Sequence, residues 1–291
     1  MTGLSDYTAK NHLNYLAGAA AMPAMPASYL ALFTAAGVDA GTGFTEVSGG
    51  AYARTQISGT LTTNATTASG NNTLHFASVP AWLVAGFTAY DLTATTVIPA
   101  GTTVLSTTST TVVLSANLTG AGAGASDSIA FSAYSAASGS APSQSTSSAA
   151  LATAQATASW GTVIAWGVYD ASSSGNLLYW DYLGAYSWLP VEISSAAPGV
   201  ITAKGHGYSA GDAVVFSTEY GGTAPTFSQS TLTGLLAVVG PATDTFTVTN
   251  GGTAVNTSST GSGMVRKVTQ QLVPANATFN LAAGALTLSE A

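Results

Sequence analysis

The sequence predicts an all-β protein, and three observations indicate this class. Only 6% of the 291 residues are charged, and this share is about a quarter of the usual one. Ala, Gly, Ser and Thr fill the remaining positions, and many short apolar runs are separated by Gly-containing turns. Such chains are typical of β-sandwiches and related folds. We expect a discontinuous β-sandwich or jelly-roll-like core, one short N-terminal helix and two inserted small, Ig-like β lobes.

The helix is predicted close to the N-terminus. Ser5 is a residue type that caps helices well, because its hydroxyl accepts a hydrogen bond from a backbone N–H of the first turn. Tyr7, Leu13 and Leu16 can lie near one face of the helix, and Gly18 is expected to end it.

Strands are predicted on both sides of the next Gly-rich segment. Residues 28–34 alternate between two faces, as a strand does. Gly49 and Gly50 then indicate a bulge or turn before a strand through residues 52–57. From residue 60 the chain becomes Thr-rich, and short strands recur about every 8–12 residues or more, which suits a small sandwich.

A Trp-rich hairpin is the centre of the predicted core. Residues 160–169 form one apolar run and residues 177–180 a second, and together they hold three of the five Trp residues. Between the runs, residues 170–175 offer the Asp, Ser and Gly that tight turns favour. The Ser-rich segment 135–149 before the hairpin is predicted to be a flexible connector.

Charge and composition exclude several classes of partner. The net charge is −7, with five Lys and Arg residues, so the basic patch that nucleic-acid binding needs is missing. No apolar run approaches the roughly 18–20 residues that span a bilayer. The chain has no Cys, which excludes disulfides and thiolate chemistry. The first residues lack the pattern of a signal peptide, so we expect assembly in a cytoplasm without general secretory export.

No catalytic, cofactor-binding or metal-binding residue is predicted. His12, His75 and His206 lie away from any Gly-x-Ser-x-Gly elbow, so a Ser/His/Asp triad is disfavoured. A glycosidase needs paired carboxylates in a groove, and this class stays a minor alternative. The segment 170–175 lacks the alternating acidic ligands of a calcium loop. Four acidic residues match turn formers instead: Asp39, Asp170, Asp212 and Asp244.

Four aromatic residues form the candidate site. Trp180, Tyr182, Tyr186 and Trp188 are evenly spaced, so in one extended strand they share a face. If that face is buried, it belongs to the core or to a subunit interface, and we favour this interpretation. If it is exposed, it is a surface on which a glycan can stack, and this is the alternative.

Several motifs in three separated parts of the chain form one ordered set. They are Leu-Ser-Asp-Tyr at 4–7, Tyr-Leu-Ala-Leu-Phe-Thr at 29–34, Glu-Val-Ser-Gly-Gly-Ala-Tyr-Ala-Arg at 46–54, Ala-Ser-Trp-Gly-Thr-Val at 158–163, Gly-Asn-Leu-Leu at 175–178 and Ala-Ala-Gly-Ala-Leu-Thr-Leu at 282–288. In that order they resemble the short phage tail fibre protein family of tailed-phage genomes. Its members are compact β domains of virion components, so the resemblance implies no catalytic residues to carry over.

Two segments depart from that family pattern and are interpreted as insertions. The first contains Ile-Pro-Ala-Gly-Thr-Thr-Val at 98–104, similar to Thr-rich surface repeats. The second contains Gly-Val-Ile-Thr-Ala-Lys-Gly-His-Gly-Tyr at 199–208 and resembles a β module that recurs in phage tail and tip proteins. Insertions at loops cost little folding free energy. We expect a core domain of residues 1–59, 134–189 and 269–291, and two inserted β domains of residues 60–133 and 190–268.

The resemblance implies a non-enzymatic structural protein of a tailed-phage virion that works without a cofactor. The sequence leaves two locations as alternatives. The protein is displayed on the tail, as a fibre or tip, or on the head, as a capsid decoration or spike. We expect a homotrimer that contacts other virion proteins. The alternative function is a receptor- or glycan-binding adhesin that recognises a host-surface glycan through the inserted lobes.

Overall fold

The structure is a computed structural model that describes residues 3–21, 27–139, 143–184, 186–218, 221–227 and 235–290. These residues contain one helix, α1 (Asp6–Leu16), and twenty-four strands. The first twelve strands are β1 (Gly3–Leu4), β2 (Ser28–Ala35), β3 (Thr45–Glu46), β4 (Thr55–Thr62), β5 (Thr73–His75), β6 (Thr88–Asp91), β7 (Val104–Thr107), β8 (Thr111–Leu114), β9 (Ser128–Ser132), β10 (Ser143–Thr146), β11 (Leu151–Ala152) and β12 (Gly161–Val163). The other twelve are β13 (Ala165–Tyr169), β14 (Leu177–Tyr182), β15 (Leu189–Ile193), β16 (Ile201–Thr202), β17 (Ala213–Ser217), β18 (Leu236–Val239), β19 (Thr245–Asn250), β20 (Thr253–Ala254), β21 (Gly261–Val268), β22 (Gln271–Val273), β23 (Asn280–Leu281) and β24 (Thr287–Glu290). The predicted all-β class with a short N-terminal helix is confirmed.

The helix begins and ends where its capping residues predict. The Ser5 hydroxyl accepts a hydrogen bond of 3.2 Å from the Thr8 N–H, which satisfies one of the free donors of the first turn. Just beyond the helix, Gly18 has a φ of +68°, a conformation that Gly adopts without steric cost. None of the helical residues is buried.

A central eight-stranded sheet organises the molecule. Its strand order is β1-β14-β13-β2-β4-β9-β6, and β3 pairs with β2. The predicted hairpin forms the second and third strands of this order, where β14 and β13 are antiparallel neighbours. In the connecting turn, the Asp170 carboxylate accepts a hydrogen bond of 2.6 Å from the Asn176 N–H, and Gly175 has a positive φ. The turn chemistry read from residues 170–175 is therefore present.

The first insertion joins this sheet directly. Strand β4 runs across residue 60, and β9 and β6 continue the sheet beyond it. A three-stranded sheet of β5, β8 and β7 lies nearby, and Phe76 meets Phe131 of β9 with ring centroids 6.0 Å apart. One hydrophobic cluster holds both Leu114 of the insertion and Trp166 of the hairpin. The division into separate domains stays a prediction.

The end of the chain pairs with the segment that precedes the hairpin. Strands β24, β23 and β22 pair with β10, β11 and β12, respectively. Residues 143–146 are therefore a paired strand, and the expectation of a flexible connector was wrong there; residues 140–142 lie outside the described ranges. A Ser-rich composition does not prevent pairing, because the backbone supplies the hydrogen bonds of a ladder.

The second insertion forms a closed six-stranded barrel, which we call the barrel lobe (189–268). The ring runs β15-β21-β17-β18-β19-β16 and closes because β16 pairs with β15 as well as with β19. The interior holds its own hydrophobic cluster, which includes Val214, Phe246 and Val265. The expected Ig-like sandwich has two separate sheets, whereas this lobe has one closed sheet. The two-residue strand β16 closes the barrel. A strand this short is too short for its side-chain alternation to be recognised in the sequence.

Candidate functional site

The barrel lobe covers one face of the central sheet. Side chains alternate along a strand, so Leu32 and Trp166 enter the main hydrophobic cluster while Phe33 enters another. This second cluster also contains Val215 and Val268 from the lobe. We call it the junction cluster; its buried members are Ala31, Phe33, Ile164, Ala165, Tyr169, Leu177, Trp180, Val215 and Val268. Burial on both faces explains why residues 29–33 of β2 and all of β13 are apolar or aromatic.

The four predicted aromatic residues lie at or beside this junction. Trp180 is 2% exposed, and its indole N–H donates a hydrogen bond of 2.8 Å to Asp39. Tyr182 lies edge-to-face with both Trp180 and Trp188, at centroid distances of 5.3 and 6.5 Å. Tyr186 is 40% exposed. The structure thus links three of the rings in a chain and leaves the fourth at the surface.

The even spacing accounts for only part of this arrangement. Trp180 and Tyr182 share a face because they lie two residues apart in β14. That strand ends at Tyr182, and Gly184 then takes a φ of +95°, so Tyr186 and Trp188 come from beyond the strand. Burial raises the pKa of Tyr182 to about 12, so its hydroxyl is neutral at physiological pH. Whether these aromatics serve an interface or a glycan stays a prediction.

Arg266 is the central polar residue of the junction, and the sequence patterns did not single it out. It is buried, and its two terminal nitrogens donate hydrogen bonds to the two carboxylate oxygens of Asp181. It also donates to the Gly184 carbonyl at 2.9 Å. The guanidinium carbon lies 6.0 Å from the ring centroids of both Tyr182 and Trp188, within the range of cation–π attraction.

The neighbouring Lys267 makes a second, more exposed ion pair. Its ammonium lies 2.8 Å from the Asp212 carboxylate and 5.3 Å from the ring centroid of Tyr186. The pKa of Lys267 is raised, chiefly by the hydrogen bond with Asp212. Side chains alternate along β21, so Arg266 points toward the junction and Lys267 toward the other face of the strand. The only signal in the sequence is their rarity, since the chain has five Lys and Arg residues.

The motif at 46–54 has a structural role in this fold. Arg54 donates two hydrogen bonds to the Glu46 carboxylate, at 2.9 and 2.7 Å, and its guanidinium carbon lies 3.6 Å from the ring centroid of Tyr169. It also donates to the Ala171 and Ser174 carbonyls. Arg54 therefore holds the turn of the Trp-rich hairpin. We take this motif as part of the architecture of the core, not as a ligand site.

Two large cavities lie along the described part of the barrel lobe. The first, the junction cleft, has a volume of about 720 Å³ and is lined by both the lobe and the central domain. The second, the lobe groove, has a volume of about 510 Å³ and is lined by the lobe. They share Ile193 and Ser262, so they are neighbours on the surface. No sequence pattern indicated either cavity.

The titratable side chains show no catalytic arrangement in the described residues. His12, His75 and His206 lie in α1, in β5 and in the lobe, respectively. The four Asp residues predicted to form turns all accept hydrogen bonds. Asp170, Asp212 and Asp244 accept them from backbone N–H groups, and Asp39 accepts one from an indole N–H. Within the described ranges, no group of three or more His, Asp or Glu residues could hold a metal ion, and no helix is long and apolar enough to cross a membrane.

A family model matches the chain over residues 3–103 and 93–187, and its description is Podophage GP4 fiber I protein gp80. The two matches together cover residues 3–187, which is more than half of the chain. The chain belongs to this family. No curated protein and no solved structure matches it.

The family answers the broad question of function. The protein is a phage tail fibre structural protein and a component of the virion. The resemblance to phage tail fibre proteins is confirmed. The match ends at residue 187, two residues before the barrel lobe begins at Leu189. The lobe, its groove and its side of the junction cleft therefore lie beyond the matched residues.

Proposed function

We propose that this protein is a non-enzymatic fibre subunit that works on the virion as a homotrimer. It contacts other virion proteins through the side that carries α1, and the barrel lobe faces outward. The family supports the structural role, and the absence of a catalytic arrangement in the described residues fits it. The observation that carries the mode of attachment is the exposed apolar surface of α1.

Three apolar or aromatic side chains of α1 are exposed to solvent in the single chain. Leu13 and Leu16 are 65% and 68% exposed, and Tyr15 is 54% exposed. An isolated helix of this length is marginal in water, and large exposed apolar residues that lie together mark interaction sites. The other apolar surface considered for attachment, around Trp180, is already covered by the lobe. We therefore assign attachment to the helix side.

Electron microscopy of intact particles tests this proposal. We expect three copies per fibre position on the tail, with α1 toward the particle and the lobe outward. The double variant Leu13→Asp/Leu16→Asp should lower particle occupancy while the isolated subunit stays folded. A position on the capsid surface, or full occupancy by the variant, contradicts the proposal.

A second candidate function is host attachment through the inserted lobes. It is favoured by the barrel lobe, which has its own hydrophobic cluster, lies beyond the family match and carries two cavities. The first and last strands of the lobe lie side by side, since Leu189 pairs with Val265. A phage that lacks residues 190–268 should therefore assemble but adsorb poorly to its host. Unchanged adsorption rules out this second function.

A further inference from the structure

We propose that the junction cleft and the lobe groove form one elongated site for a neutral oligosaccharide, and that the site rejects acidic polysaccharides. This inference rests on the second proposed function and names its ligand class. Its first support is size and position. A cavity of about 720 Å³ lies within the usual range of ligand sites, which often occur where two domains meet.

The lining of the cleft matches a saccharide better than a purely apolar ligand. Apolar side chains form part of the wall, and three aromatic rings are among them: Tyr182, Phe216 and Phe227. Hydroxyl and amide groups accompany them, from Thr34, Thr162, Ser217, Thr218, Ser262 and Gln270. Sugar rings have an apolar C–H face and several hydroxyls. The aromatic rings supply flat apolar surface for the face, and Thr, Ser and Gln both donate and accept hydrogen bonds.

The charge pattern selects neutral sugars. None of the described residues that line the cleft is charged, and the described lining of the groove contains a single charged residue, Glu192. Among the described residues of the site, an acidic polysaccharide thus meets no cation and one like charge, in a chain with a net charge of −7. Like charges placed together disfavour a wrong partner. Arg54, Arg266 and Lys267 are already engaged in ion pairs.

The adjacency of the two cavities favours a chain of sugars over a single sugar. The groove adds hydroxyl side chains from Ser194, Thr202, Thr223 and Thr260 to the site. Both cavities are lined by Ile193 and Ser262, so an oligomer that fills the cleft and extends past these residues reaches the groove. We therefore expect oligomers to bind more tightly than the corresponding monosaccharide.

Binding measurements on the full chain test the proposal. The probes are maltohexaose, cellohexaose, chitohexaose and mannohexaose as neutral ligands, and galacturonate and hyaluronate oligomers of matched length as acidic ligands. Saturation-transfer NMR and calorimetry should detect at least one neutral hexamer, with affinity about tenfold or more above that of the acidic oligomers. The proposal is overturned if no neutral probe binds, or if acidic and neutral oligomers bind equally.

Three variants and one matched control locate the binding to this site. Thr162→Trp places a large ring in the cleft and should weaken binding about tenfold or more by occlusion. Thr60→Trp is its matched control, because Thr60 is exposed in β4 of the same domain and does not line either cavity. Glu192→Gln should keep neutral binding and reduce the discrimination against acidic oligomers. Gln270→Ala, at an exposed residue, provides a second test of the cleft if Thr162→Trp does not fold.

The outcomes separate this inference from both proposed functions. Host attachment through the lobe is measured separately, by the adsorption of phage that lacks residues 190–268, so a failure to bind these saccharides does not by itself remove it. Saccharide binding that survives both Thr162→Trp and Gln270→Ala refutes the assigned site, as does binding lost equally in Thr60→Trp. Absence of saccharide binding leaves the number of subunits and their position on the particle untouched, and those are measured by microscopy.

Discussion

The two segments predicted to be insertions, residues 60–133 and 190–268, differ in how they contact the rest of the chain. The first contributes β9 and β6 to the central sheet, and its buried side chains belong to the same hydrophobic cluster as those of that sheet. The barrel lobe closes its own ring of strands and keeps a separate interior. It meets the central sheet through side chains, in the junction cluster and around Arg266.

The difference shows how strand edges decide whether an inserted segment merges with the sheet beside it. An open strand edge has unpaired backbone groups that must find partners, so the first insertion becomes part of the sheet. A closed barrel has satisfied its own backbone groups and is held by packing and by a few polar contacts. We therefore expect the lobe to lose its structure or its position without unfolding the rest.

The sharpest test removes one large side chain from each region. Phe131 and Phe246 are both 1% exposed, and Phe→Ala in a core costs about 3–5 kcal/mol. Phe131→Ala should destabilise the central sheet together with the first insertion, because its ring contacts Phe76. Phe246→Ala should destabilise the lobe alone. Hydrogen exchange resolved by region measures both.

The expected exchange patterns are distinct. If Phe246→Ala also removes protection from β2 and β13, the lobe is part of one cooperative unit. If Phe131→Ala leaves residues 73–114 protected, the first insertion is more independent than its shared cluster implies.

The buried ion pair tests the contact between lobe and sheet. Asp181→Ala leaves the buried Arg266 without its carboxylate partner, and breaking a buried pair in this way costs about 3–5 kcal/mol. We expect increased protease access at residues 183–189 and earlier thermal unfolding. The double variant Asp181→Ala/Arg266→Met removes the uncompensated charge and should recover part of the loss. No recovery contradicts this account of the junction.

The Lys267–Asp212 ion pair should contribute much less to stability than the Arg266–Asp181 pair, and its contribution should disappear at low pH. Burial raises the pKa of Asp212, but hydrogen bonds from Lys267 and from the Ser209 N–H outweigh that effect and lower it below the usual 3.8. A lowered pKa in the folded state adds stability above the unfolded pKa, and this stability is lost as the pH falls through the folded value. Asp212→Asn should cost below about 1 kcal/mol at neutral pH.

Denaturant unfolding across pH checks the sign of this effect. The difference between the wild type and Asp212→Asn should shrink as the pH falls below 3.8. A difference that grows toward acid indicates that Asp212 does not stabilise the lobe through its charge.

The smallest effect on stability is expected at the exposed helix. Leu13→Asp/Leu16→Asp removes no buried contact, because α1 has no buried residue, and surface substitutions stay within about 0.5 kcal/mol. The monomer should therefore unfold almost as the wild type does, while its incorporation into particles, measured by electron microscopy, falls. A large loss of monomer stability places these residues in the fold, not in an interface.

Local sequence patterns predicted the elements whose causes are local. The Ser5 cap, the Gly18 stop and the turn at residues 170–175 each depend on side chains within a few positions. The hairpin of β13 and β14 followed from two apolar runs around that turn. Of the four evenly spaced aromatic residues, Trp180, Tyr182 and Trp188 lie at the junction, although the chain turns at Gly184, whereas Phe33 and Tyr169 were not indicated by that spacing.

Other features depended on contacts between distant parts of the chain. Closure of the barrel needs the two-residue strand β16 to pair on both sides, and so short a strand has no periodicity to read. The pairing of Ser143–Thr146 required its partner β24. The site at the junction needed Arg266 to meet Asp181, which lies 85 positions earlier in the sequence.

The sequence by itself determined the class of this protein, its helix, its central hairpin and its kinship with phage fibre proteins, because composition, caps and turns act over a few residues. Only the tertiary structure decided that the Trp-rich strands are buried on both faces, that Arg266 joins the lobe to the sheet, and that a cleft remains between them. Those features arise from side chains that meet after folding, and neither spacing nor propensity records which distant strands become neighbours.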